Sequence, residues 1–198
     1  MGQIEPNNIE DIFTALDRQI EVRGGEPLGL VVCGGTALSA LGLVKRTTKD
    51  VDVLGTVLET PQGLMIQKIM KFPEWLTDAA NKIRRDFDLP ENWLNLGPAA
   101  QVESGLPEGF DNRLVKRVYG HYLAMYFVSR TDQIHFKLYA AVDRDDYHVK
   151  DLFALKPMED EIEMAARWAM TQDVSDVFKA LLKDFLEAHH YEAVAQRI

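Results

Sequence analysis

The chain has 198 residues, 46% of them hydrophobic and 27% charged, with one cysteine and 22 basic against 31 acidic side chains, for a net charge of −9. This length can bury a substantial core and fits one domain, or one domain with a helical appendage. The acidic balance argues against broad non-specific binding to duplex nucleic acid, which needs lysine and arginine to neutralise phosphates. The lone Cys33 excludes an intramolecular disulfide and reads as an inert buried thiol.

Asn8 precedes the first periodic segment, in which Ile9, Ile12, Phe13, Leu16 and Ile20 fall on one helix face before Gly24-Gly25 ends it. The polar, acidic start MGQIEPNNIEDIF is no signal peptide, and Pro6 stands where myristoylation needs Ser or Thr. The expectation is a cytoplasmic protein. Residues 28 to 44 carry no charge, but the run is short for a membrane span and a glycine pair divides it.

The run from Leu28 to Val53 carries the chemistry. LGLVVC reads as a buried strand, Gly34-Gly35 turns it, and Thr36 opens a short helix that Gly42 stops. In the following TTKDVDVL, Asp50 and Asp52 alternate with Val51 and Val53. On a strand both carboxylates then project from one face while the valines enter the core. Two such carboxylates suit Mg2+, which takes one or two protein oxygens plus nucleotide phosphates. Backbone N–H groups at Gly34, Gly35 and Thr36 suit the phosphates themselves. Together they make a candidate phosphoryl-transfer site.

A second helical stretch is expected from Thr60-Pro61, broken at Pro73 into two helices, the later one with the face Ala79, Ile83 and Phe87. Residues 89–113 read as irregular, with a short strand at Trp93 to Leu96. VKRVYGHYLAMYFVSR reads as two strands, or one broken at Gly120. A helix then starts at Thr131, in which Lys137, Arg144 and Asp151 recur every seven residues and form one polar stripe if DRDDY does not interrupt it. The last third is helical, with Ile162, Ala165, Ala166 and Ala169 on one face and Val177, Leu181, Phe185 and Leu186 on the next. His189-His190 has no third ligand at metal spacing and reads as a surface helix terminus. Signatures of P-loops, nucleophile elbows and zinc proteases are absent.

GGTALSALGL followed by RTTKDVDVL resembles the signature of the DNA-polymerase-β-type nucleotidyltransferase superfamily, in the bacterial branch that includes abortive-infection toxins. The K-L-x-A…R…K-D-L pattern around Lys137 resembles a later motif of that branch, and PENWLN resembles another of its segments. The resemblance implies a small mixed α/β (α+β) core flanked by helices, expected over residues 1–156, and the helical last third is expected to form a C-terminal subdomain over 157–198. It implies transfer of a nucleoside monophosphate from a Mg2+-bound NTP to a hydroxyl of RNA, protein or a small molecule. Asp50 and Asp52 would hold the metal, and Lys137, Arg144 and Asp151 would serve the nucleotide. A toxin with a cognate antitoxin is the biology it implies. The superfamily's third carboxylate has no clear counterpart, Glu103 being the nearest acid. A catalytically silent nucleotide-binding or regulatory module of the same fold is therefore the alternative, and a small-molecule adenylyltransferase a third.

Overall fold

The computed structural model describes residues 2–143 and 147–198. The chain divides into two compact units, one reaching to Ser129 and one running from Arg130 to Ile198.

The first unit is a mixed sheet with helices on one face. Its strands are β1 (Leu28–Cys33), β2 (Val51–Thr60), β3 (Gly63–Gln67), β4 (Leu94–Asn95), β5 (Val115–Val118) and β6 (Leu123–Phe127), in the order β3-β2-β1-β6-β5. β4 pairs with the start of β2. The β1–β6 and β2–β4 pairs are parallel and the others antiparallel.

Helix α1 (Ile9–Val22) buries the five apolar side chains its spacing singled out, all 2% exposed or less. They join Leu30 and Val32 of β1, Val51 and Val53 of β2 and Met125 and Phe127 of β6 in one core. Helix α3 (Glu74–Asp86) adds Leu76, Ala79 and Ile83 to it, with Phe87 half-buried just beyond. Asp17 on α1 aims its carboxylate at the chain entering β6, where Oδ1 accepts the N–H groups of Tyr122 and Leu123, both at 2.8 Å. Two donors from the backbone satisfy an acid that is only 7% exposed.

The stretch after Thr60 is not helical up to Pro73. β2 runs on to Thr60, Pro61 and Gln62 turn the chain, and β3 returns antiparallel with Leu58 opposite Met65. The Thr60 hydroxyl donates to the Gly63 carbonyl at 2.9 Å and accepts from the Gln62 N–H at 3.3 Å. Gly63 adopts a φ of 127°, a conformation open to glycine. Proline opens turns as readily as helices, so Thr-Pro did not separate the two readings.

The second unit is helical: α5 (Arg130–Asp143), α6 (Tyr147–Ala154), α7 (Glu159–Gln172), α8 (Asp176–Ala188) and α9 (Glu192–Arg197). Between α2 (Gly34–Ala40) and these lies also the four-residue α4 (Gln101–Ser104) of the first unit. α7 buries Ile162, Ala165, Ala166 and Ala169, as its spacing predicts. On α8 the buried residues are Phe178, Leu182 and Leu186, whereas Val177 and Leu181 are 70% and 49% exposed. The helix carries two apolar stripes, and periodicity alone does not say which one turns inward. Arg130 at the start of α5 clasps the unit. Its guanidinium donates to the Leu155 and Lys156 carbonyls at the end of α6 and to the Glu161 carboxylate on α7. That bond to Arg130 is the main cause holding the Glu161 carboxyl below its ordinary range, and burial opposes it.

Candidate active site

At the end of β1 the backbone turns through Gly34 with φ at 69°, the left-handed region that favours glycine. A Cβ there would stand 2.5 Å from Oδ2 of Asp52, so a carboxylate lies directly against this turn. A Cβ on Gly35 would meet Thr48 Oγ1 at 3.0 Å and the guanidinium carbon of Arg46 at 3.4 Å. The glycine pair is thus the condition for the loop 45–50 to close onto the start of α2. Thr36, fully buried, donates its hydroxyl to the Asp50 carbonyl at 2.6 Å, and the buried Cys33 thiol donates to the Asp52 carbonyl at 3.7 Å.

Asp52 pairs in register with Cys33 on one side and Asn95 on the other. Val51 and Val53 beside it are fully buried in the helix-covered core, which sends the Asp52 side chain to the opposite sheet face. Asp50 lies immediately before β2. Both carboxylates are held: Thr48 Oγ1 donates to Asp50 Oδ1 at 3.0 Å, and Asn95 Nδ2 donates to Asp52 Oδ1 at 3.2 Å. Asn95 is itself fixed by the Gly97 N–H, which donates to its Oδ1 at 2.8 Å. Thr48 is fixed by a backbone bridge to Ile4. Thr48, Asn95 and Arg46 are the residues that motif reasoning left out. Their roles arise from strand register and loop closure, although Asn95 stands inside the PENWLN segment singled out above.

The donor set fits magnesium in kind: two half-exposed carboxylates, hard oxygens, at one end of a rigid strand. Among the described residues no group of three or more His, Cys, Asp or Glu side chains is placed to hold a metal. Glu103 lies on α4, where its carboxylate pairs with Lys68 at 2.7 Å.

In the second unit, Lys137 and Asp151 meet. Lys137 lies on α5 and Asp151 on α6. Packing of α6 against α5 puts Lys137 Nζ 2.8 Å from Asp151 Oδ2, with both side chains about 5% exposed (5% and 6%). The Lys137 ammonium also lies 5.4 Å from the centre of the Tyr147 ring, a cation–π distance. Arg144 lies outside the described residues.

A further polar cluster sits toward the other end of β2. Tyr126 and Lys116 both donate to Glu59 beside a cavity of about 320 Å³ floored by Gly29 and Ala124. The Lys116 bond is the main cause holding Glu59 below the usual carboxylate range, and the same bond raises Lys116. Each group there is satisfied by the others. By contrast, Asp52 lies against a glycine turn, with Asp50 held by Thr48 just ahead of it, which makes the aspartates the better candidate for chemistry.

A family described as "Nucleotidyltransferase of unknown function (DUF6036)" matches residues 11–184, a span that includes every candidate residue named here. No curated protein and no solved structure matches the chain. No helix among the described residues is long and apolar enough to cross a membrane.

Proposed function

The chain belongs to this nucleotidyltransferase family, and on that premise we propose that it transfers a nucleoside monophosphate from a magnesium-bound NTP to a hydroxyl acceptor. The observation that carries the reading is the pair of held carboxylates, Asp50 by Thr48 and Asp52 by Asn95, with Asp52 against the Gly34 turn. Asp50 and Asp52 would hold Mg2+, which when bound neutralises charge on the phosphates. Backbone N–H groups of Gly34, Gly35 and Thr36 would approach the phosphates where no Cβ of the glycines intervenes. Thr48 and Asn95 would orient the two carboxylates, as supporting hydrogen bonds orient metal ligands generally.

Lys137 would neutralise triphosphate charge, being a compact cation on a flexible stem. Asp151 would hold that ammonium until phosphate oxygens compete for it, and Arg144 would assist at the nucleotide. These roles come from the family resemblance, as does the toxin role with a cognate antitoxin. The acceptor would be an RNA end, a protein hydroxyl or a small molecule.

One observation favours a second reading, a nucleotide-binding module without transfer. The neighbour of Asp52 on β4 is an amide, Asn95, rather than an acid. The experiment is titration calorimetry of each ribonucleoside triphosphate with magnesium on wild type and Asp50→Ala/Asp52→Ala, followed by incubation with α-labelled NTP. The transferase reading expects binding that the double variant loses and label that moves to an acceptor. Binding without any labelled product would favour the silent module. No binding by folded wild type would sink the site.

A further inference from the structure

Gln133 is fully buried on α5, and neither its amide oxygen nor its amide nitrogen has a hydrogen-bond partner. No other amide side chain among the described residues is in this condition. A buried amide left unpaired forfeits its bonds to water without replacing them, which is costly enough that such groups are rare without a reason. Gln133 also stands four residues before Lys137. On a helix these positions are neighbours on one face, one turn or about 5.4 Å apart along the axis.

We propose that Gln133 reads the nucleobase of the nucleotide whose phosphates Lys137 contacts. The inference rests on the transferase reading of Lys137 given above. A primary amide presents an N–H donor and a carbonyl acceptor side by side in a single plane. That is the complement of a base edge, and glutamine pairs with bases through both atoms in nucleic-acid recognition. A phosphate would use the N–H alone and leave the carbonyl unpaired, so the amide matches the base better than the triphosphate. Lys137, at 4% exposed, is covered as Gln133 is. The proposal requires that one opening admit the nucleotide to both positions. Selectivity follows from the same physics: a site that offers buried donors and acceptors rejects a ligand that leaves them unpaired.

The test titrates ATP, CTP, GTP and UTP, each with magnesium, and inorganic tripolyphosphate as a base-free probe, into wild type and Gln133→Met. Methionine keeps the length and removes both polar atoms. The expectation is that wild type prefers one or two bases by about tenfold and that Gln133→Met loses this preference, while tripolyphosphate binding stays within about twofold. Its melting temperature should be no lower than that of wild type, because an unpaired buried amide has been removed. Should Gln133→Met not fold, Gln133→Asn, which withdraws the amide by one methylene, is read for the same loss of preference.

A variant with the wild-type preference, or a wild type that binds all four triphosphates equally, overturns the Gln133 role and leaves the transferase reading standing. A wild type that binds neither triphosphates nor tripolyphosphate takes down both.

Discussion

Lys137 and Asp151 bear a cost that an exposed ion pair escapes. Both charges have left water, and the 2.8 Å contact must repay their desolvation. Removing one partner takes away a contact that compensates the burial of the other, so Lys137→Met is expected to destabilise the fold by about 3–5 kcal/mol in urea unfolding, and Lys137→Met/Asp151→Leu to recover most of that loss. A single-variant loss below about 1 kcal/mol is what a solvent-screened pair gives and would contradict the burial. For function, this means that inactivity of Lys137→Met is interpretable only beside its melting curve. At this scale the sequence was informative where backbone geometry demands one residue type. Gly34 is such a case, since its φ of 69° and the 2.5 Å approach of Asp52 tolerate little else. It was uninformative for Thr48 and Asn95, whose side chains are ordinary in composition and gain their roles from pairing across 43 residues or from closing a loop.

Among elements, α1 and α7 were legible because each presents a single apolar pattern to a single core, and β6 because its residues are apolar on both faces. The β2–β3 hairpin and the inward face of α8 were not. Thr-Pro-Gln-Gly serves a turn as well as a helix start, and α8 offers two stripes between which only its neighbours choose. What holds the helices α5, α6 and α7 of the second unit in place is also a tertiary matter, the Arg130 clasp onto Glu161 and the end of α6. It has a pH signature. The Glu161 carboxyl is held below its ordinary value of 4.5, chiefly by the Arg130 bond, so the folded state favours its ionised form. The clasp therefore contributes fully above that ordinary value and is lost as pH falls through the lowered folded value. Thermal melts should show wild type more stable than Glu161→Gln at neutral pH, with the gap closing as the solution is acidified from about pH 5 to pH 3. A gap that stays constant or widens on acidification would show that the carboxylate does not carry the clasp.

Across the whole molecule, charge sets which acceptors are plausible. The net charge of −9 repels a polyanion at a distance, and a duplex binds non-specifically only by exchanging its counterions for protein cations. Yet Lys45, Arg46 and Lys49 gather within five residues just ahead of Asp50, with both lysines exposed. Such a local cluster can engage one or two phosphates at a nucleotide or a strand end without attracting the length of a helix. The expectation is that fluorescence anisotropy with a random-sequence duplex detects no binding at protein concentrations up to about 100 μM in about 0.1 M salt, the upper end of the range where basic domains bind non-specifically. Tight binding with a steep salt dependence, log K falling by several units per decade of salt, would require many phosphate contacts. It would reveal a basic surface that the composition conceals and would move the acceptor from a hydroxyl at a chain end or on a small molecule to one along a duplex.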